Sequence, residues 1–344
     1  MKQVLVLMMF LAVLLVVISC EKARTAPAFI SKEKKTKTVV KDSIVKESIT
    51  TTIDTVDYNQ RLWALSNQDA SGRWPVKTVY PLAGAILPYH RIVAFYGNLY
   101  SKRMGVLGEL PKQQMLQKLN YEVNRWHKAD ASVTTIPALH YIAITAQNTP
   151  GKSNTHRLRM PHHQIDIVLS WANEINGLVF LDVQVGHSTL QEELSTLVKY
   201  LQLPQVHLGI DPEFSMKNKS LPGTKIGTYS AEDINYAIRF LAQIVRENKL
   251  PPKMLIVHRF TQKMVTDYKK IKPLPEVQVV MNMDGFGNKT LKKSTYHDYI
   301  FKEPVQFTGF KLFYKNDTKG NSAGLYSPEE LLRFKPKPIY IQYQ

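Results

Sequence analysis

A single cysteine, Cys20, occurs in the 344 residues. Downstream of it there is therefore no disulfide, no thiolate zinc site and no cysteine nucleophile. Nucleotide signatures are missing as well. No G-x-G-x-x-G follows the first predicted strand and no G-x-x-x-x-G-K-[ST] occurs anywhere, so the usual phosphate-cradling loops are absent. There is no G-x-S-x-G elbow for serine hydrolysis, and no H-E-x-x-H or H-x-H spacing for a metal. Arg-rich helices, basic–aromatic repeats and internal repeats are also lacking. The net charge of +17 is carried by scattered Lys and Arg, which reads as a solvated basic surface with no nucleic-acid partner.

One long hydrophobic run stands out, Val4–Ile18, behind the positive Lys2. At about 15 residues it is short for a membrane span and right for a signal segment. It ends in Val-Ile-Ser-Cys, which resembles a bacterial lipobox whose cysteine is lipidated. Residues 1–20 thus read as a lipoprotein signal peptide, with Cys20 as the lipidation site and a membrane-attached, extracytoplasmic cell-envelope location. An uncleaved N-terminal anchor is the alternative. Residues 21–83 read as a tether: the stretch to about Thr55 is rich in Lys, Ser and Thr and too polar to offset ordering entropy. Trp63, Trp74, Tyr80 and Tyr89 suggest that its second half docks onto the domain that follows.

From about Gly84 short β-branched runs alternate with helical stretches. Predicted strands fall at 91–97, 134–145, 177–186, 206–214, 253–260, 277–285, 307–314 and 338–344. Helices are predicted at 113–128, 161–176, 190–201, 231–248, 261–270 and 327–334, and 289–299 reads as loop. Eight such alternations over about 260 residues predict a (β/α)8 TIM barrel spanning 84–344, with a doubly wound sheet as the competitor.

The fourth predicted strand, Val206–Phe214, is the clearest. Val206, Leu208 and Ile210 point one way; His207, Gly209, Asp211 and Glu213 point the other. Pro212 should end its hydrogen bonding. Chemistry in such a barrel gathers at the C-terminal strand ends, which offer Tyr96, then His140 and Tyr141, Asp182 and Gln184, Asp211 and Glu213, His258, Asn282 and Asp284, Lys311 and Phe313, and Gln342. The His156–His163 cluster has basic neighbours and reads as solvated.

Paired carboxylates with aromatics and amides fit glycoside hydrolysis best. Glu213 is expected as general acid, Asp211 as its orienting partner, and Asp182 or Asp284 as the second catalytic carboxylate. Tyr96, His140, Tyr141, Gln184, His258, Lys311 and Gln342 are expected to bind the carbohydrate. No cofactor and no metal is expected. A non-catalytic, lipid-anchored barrel that binds glycan or a partner protein is the alternative.

The set YHRIVAFYGNLYSKRMGVLGE, FLDVQVG, LGIDPEF, KMLIVHRF, VVMNMDGFG, FTGFKLFY and PIYIQYQ resembles a family of secreted bacterial proteins of largely unassigned activity. Its members are often lipoproteins or cell-wall-associated and are similar to glycoside-hydrolase-type barrels. The resemblance covers about residues 84–344 and implies a barrel and an extracytoplasmic life. The D-x-E of Asp211 and Glu213 also resembles lysozyme-type and chitinase-type arrangements. The full D-x-x-D-x-D-x-E run is not present, since His207 and Gly209 stand upstream of Asp211.

Overall fold

A computed structural model of the chain describes residues 52–320 and 323–344. The signal segment, Cys20 and the Lys-rich part of the tether lie outside the described residues. Among the described residues no helix is long and apolar enough to cross a membrane.

Eight strands form the body: β1 (His90–Gly97), β2 (Thr134–Ala146), β3 (Leu178–Val183), β4 (Val206–Ile210), β5 (Lys253–Arg259), β6 (Val277–Met283), β7 (Phe307–Leu312) and β8 (Tyr340–Tyr343). Each pairs in parallel with its neighbours in chain order, and β1 pairs with both β2 and β8. The sheet is therefore closed, and the fold is the expected TIM barrel. The doubly wound alternative fails because its sheet would have two free edges. Among the described residues five helices of eight residues or more accompany the strands: α1 (Thr55–Ser66), α2 (Lys112–Ala129), α3 (His162–Glu174), α4 (Ala231–Asn248) and α5 (Lys289–Tyr296).

Alternation along the strands produces two apolar layers. Val93, Phe95, Leu139, Leu181, Leu208 and Val257 face outward and pack with helix residues such as Leu119, Trp126, Ile165 and Leu241. Ile92, Ala94, Ala138, Phe180, Ile256 and Val280 face inward and fill the lower barrel. Parallel strands covered on both faces carry near-continuous apolar runs, as these do. The helices are fixed by local chemistry too. Ser230 and Asp233 form a reciprocal capping box at the start of α4.

Two predicted elements differ. Residues 289–299 read as loop, yet Lys289–Tyr296 is a helix capped by Asn288. Its polar composition hid it, because the position facing the barrel is a lysine. Buried Lys292 donates from Nζ to the carbonyls of Gly285 (2.8 Å) and Lys311 (2.7 Å) and pairs with Asp317. Residues 261–270 were predicted helical and instead form two 3-10 turns around the short strand Val265–Thr266. The buried Arg259 guanidinium collects the carbonyls of Thr261, Gln262 and Val265, which a helix would have used internally.

Below the barrel, α1 closes the N-terminal end. Asp54 caps it, and Tyr58 inserts beside Leu87, Ile92, Met254 and Ile339. The side chain of Gln278, on the inner face of β6, accepts the N–H groups of Ile86 (3.1 Å) and Leu87 (3.0 Å). Trp74 is buried and donates to the Phe301 carbonyl at 3.0 Å. Trp63 and Tyr80 stay exposed.

Candidate active site

The inner face changes from apolar to polar toward the C-terminal strand ends. Every barrel strand contributes an inward polar group there or just beyond. They are Tyr96 (β1), His140 (β2), Asp182 (β3), Asp211 after β4, His258 (β5), Asn282 and Asp284 (β6 and its exit), Lys311 (β7) and Gln342 (β8). The register sets them side by side: Tyr96 opposite His140, His258 opposite Asn282, Lys311 opposite Gln342.

These groups form two tiers. The lower tier has no solvent exposure: His140, Asp182, His258, Asn282 and Gln342. Asp182 Oδ2 accepts from the Tyr96 hydroxyl at 2.9 Å, and its Oδ1 lies 3.3 Å from the Nε2 atoms of both His140 and His258. His258 Nδ1 lies 2.9 Å from Asp284 Oδ2. His140 Nδ1 meets the Tyr340 hydroxyl at 2.5 Å and Gln342 Nε2 at 2.9 Å. The upper tier lines a cleft of about 650 Å³: Tyr96, Gln184, Asp211, Glu213, Asp284 and Lys311, with Phe214, Phe260, Phe286 and Phe313 around them. Lys311 Nζ pairs with Asp284 Oδ1 at 2.9 Å and lies 3.8 Å above the Tyr96 ring centre, a cation–π contact.

The expected site residues thus divide. Glu213, Asp211, Asp284, Tyr96, Gln184 and Lys311 reach the cleft. Asp182, His140, His258 and Gln342 lie beneath its floor, so they act on a bound molecule only through the upper tier. Tyr141 is a correction: it points outward and packs in the layer between strands and helices. It is the neighbour of inward His140, and period-two alternation sends it the other way. His156 is also buried rather than solvated, with Nδ1 2.9 Å from the Asn148 carbonyl. Sequence reasoning passed over Phe214, Phe260, Phe286 and Arg103 as cleft residues. Phe260 follows the end of β5 directly, and Phe214 and Phe286 lie four and three residues beyond the ends of β4 and β6, so position just past a strand end is the signal that marks them.

Pro212 ends β4 as expected, and the chain turns into a 3-10 turn, Pro212–Phe214. Asp211 Oδ1 caps that turn by accepting the Glu213 N–H at 3.0 Å, while Oδ2 lies 3.5 Å from Gln184 Nε2. Glu213 therefore reaches the cleft from a turn and not from the strand.

Burial and charge set distinct protonation states. Burial lifts Glu213 to about 7, with Asp284 adding to the rise and Lys311 and His258 opposing it. Burial also lifts Asp211, helped by Glu213 and against His258, well above the carboxylate range. Asp284 is pushed up by burial, but Lys311 and His258 outweigh this and hold it below its usual value. Burial disfavours the His258 cation, yet Asp182 and Asp284 raise it to about 10. Burial lowers His140 to about 4 despite Asp182. The cleft thus favours the ionised form of Asp284 and the protonated form of Asp211, with Glu213 changing charge near neutral pH.

Glu213 carries a stability consequence. Its folded value of about 7 exceeds the ordinary 4.5. Below the lower value both states are protonated. As pH rises through the upper one, the folded protein must ionise a group that the unfolded chain ionised earlier, and stability is lost. The loss is on the order of 3 kcal/mol. Glu213→Gln should therefore be more stable than wild type at pH 8 and closer to it at pH 5, as read by urea unfolding at both pH values.

No family model matches the chain, and no curated protein matches it. Among solved structures it is similar to dihydropteroate synthase from Burkholderia cenocepacia complexed with 7,8-dihydropteroate. The identity is 9%, the TM-score 0.31, and the match covers 75% of this chain and 86% of that one. It is also similar to GH26C from a Muricauda species, at 11% identity and TM-score 0.32, over 83% of this chain and 81% of that one. The fold rests on the closed strand order and not on these likenesses.

Proposed function

We propose that the cleft hydrolyses a glycosidic bond in an envelope or environmental polysaccharide. The observation that carries this reading is the separation of two carboxylates that line one cleft: Glu213 titrates at about 7 while Asp284 is held ionised by Lys311 and His258. Carboxyl groups pushed apart in this way divide acid and base roles between them. Glu213 protonates the leaving oxygen. Asp284 faces the anomeric carbon and stabilises the positive charge that develops there or assists attack on it. Asp211, kept neutral, orients the Glu213 turn. Tyr96 and Gln184 offer hydrogen bonds to sugar hydroxyls, and Phe260, Phe286 and Phe313 offer faces on which sugar rings stack. A screen of bacterial and host polysaccharides with wild type and Glu213→Gln tests the reading. Cleavage that survives in Glu213→Gln removes the assignment. Binding without cleavage by the wild type favours a non-catalytic glycan-binding barrel.

The same reading places the barrel outside the cytoplasm on a lipid anchor at Cys20, supported by the Val-Ile-Ser-Cys run behind the apolar segment. Cys20→Ala is expected to abolish fatty-acid labelling and acyl-dependent membrane retention. Label that persists on Cys20→Ala would sink the anchor.

A further inference from the structure

The lower tier contains an arrangement that supporting Asp284 does not by itself explain. Asp182 Oδ1 lies 3.3 Å from His140 Nε2 and 3.3 Å from His258 Nε2, and these three ligand atoms lie within 4.8 Å of one another. A charge-assisted N–H to carboxylate bond is shorter, about 2.7–2.9 Å. His258 Nε2 is fully buried and faces Asp182 Oδ1 at 3.3 Å without well-aligned hydrogen-bond geometry. Two ligands held about 2.0–2.1 Å from a tetrahedral metal stand roughly 3.3 Å apart. The two imidazole-to-carboxylate separations match that spacing.

Two further features fit. The outer nitrogens of both imidazoles are engaged, His258 Nδ1 with Asp284 Oδ2 at 2.9 Å and His140 Nδ1 with the Tyr340 hydroxyl at 2.5 Å. Such outer partners orient metal-binding histidines and fix their tautomer. The space between the ligands is kept open by a glycine. A Cβ on Gly209 would fall 2.5 Å from both Asp182 Oδ1 and His140 Nε2.

We propose that His140, Asp182 and His258 bind one first-row divalent transition-metal ion beneath the floor of the cleft. Two imidazoles and a carboxylate suit Zn²⁺ or Fe²⁺ and disfavour Ca²⁺ and Mg²⁺, which prefer all-oxygen sites. The ion displaces the Nε2 proton of His258 to solvent, and the Nε2 proton of neutral His140 moves to its Nδ1, which then donates to the Tyr340 hydroxyl oxygen. It ties β2, β3 and β5 together and fixes Asp182, whose other oxygen holds Tyr96 at the cleft. The proposal stands whether or not the cleft cleaves sugars.

The test uses the protein stripped with chelator, dialysed and titrated with Zn²⁺ by calorimetry, with bound metal counted by elemental analysis. Wild type should bind one equivalent at this site and gain thermal stability with added Zn²⁺. Tyr340→Phe should weaken the affinity about 10–100-fold. His258→Gln and Gly209→Ala, checked for folding by circular dichroism, should lose the equivalent. X-ray absorption of the wild-type zinc form should show two imidazoles, a readout that needs no variant to fold. The second imidazole pair, buried His156 and half-buried His187, with ring centres 4.2 Å apart, is the internal control. The proposal fails if stripped wild type binds no Zn²⁺, if the zinc form shows no imidazole pair, or if the equivalent survives in His258→Gln and disappears in His187→Ala.

Discussion

Glu213→Gln is expected to lower turnover on the polysaccharide by about 10²–10⁴, the usual contribution of a general acid. The amide matches the carboxyl in size and cannot give up a proton to the leaving oxygen. The aromatic walls, Tyr96 and Gln184 are untouched, so KM should change little. The pH profile makes the same point with a sign. Glu213 must be protonated to act, and it is protonated below about 7. Activity should therefore fall as pH rises through that value. Asp284 must be ionised, and its value is depressed, so the acid limb should lie below the ordinary carboxylate range. The Glu213 assignment is overturned by a wild-type activity that climbs through pH 7 and 8, or by a Gln variant within threefold of wild type.

The barrel was legible because parallel strands covered on both faces announce themselves as apolar runs, and because turns and helices separate them at regular spacing. The inward polar set was legible from period two alone at Tyr96, Asp182, Asp211, His258 and Lys311. Tyr141 shows how the reading fails: it was taken together with His140, although alternation allows only one of the two to face inward. The two tiers were not legible. Whether Asp182 touches the cleft or lies beneath it depends on the stagger between neighbouring strands, which no single strand encodes. The His140, Asp182 and His258 grouping is hidden for the same reason. Its members come from three strands far apart in the chain, so no local spacing such as H-x-H records it. Lys292 and Arg259 show a further limit. Both are buried cations that satisfy backbone carbonyls, and pattern reading places such residues on the surface.

The N-terminal segment leads to the second large effect. A chain beginning at Gly84 has all eight strands, yet it is expected to lose the cooperative fold that a chain beginning at residue 52 keeps. The lower barrel is filled by Ile92, Leu178, Met254, Phe307 and Ile339, and Tyr58 and Leu87 pack directly on them, with Leu62 and Leu65 alongside. Without residues 52–83 the Tyr58 and Trp74 side chains are lost, and the apolar atoms they covered meet water. Each large side chain withdrawn from water contributes about 1.5–3 kcal/mol. Losing two of them and uncovering several more removes roughly 5–10 kcal/mol, as much as a typical domain's whole stability of about 5–15 kcal/mol. Gln278 would still meet Ile86 and Leu87, which remain in the shorter chain, so the defect is one of apolar burial and not of hydrogen bonding. Thermal unfolding of both chains distinguishes the outcomes. The plug is refuted if the chain from Gly84 melts cooperatively within a few degrees of the longer one. The milder variant Tyr58→Ala should lower stability by about 3–5 kcal/mol while leaving both tiers of the site in place.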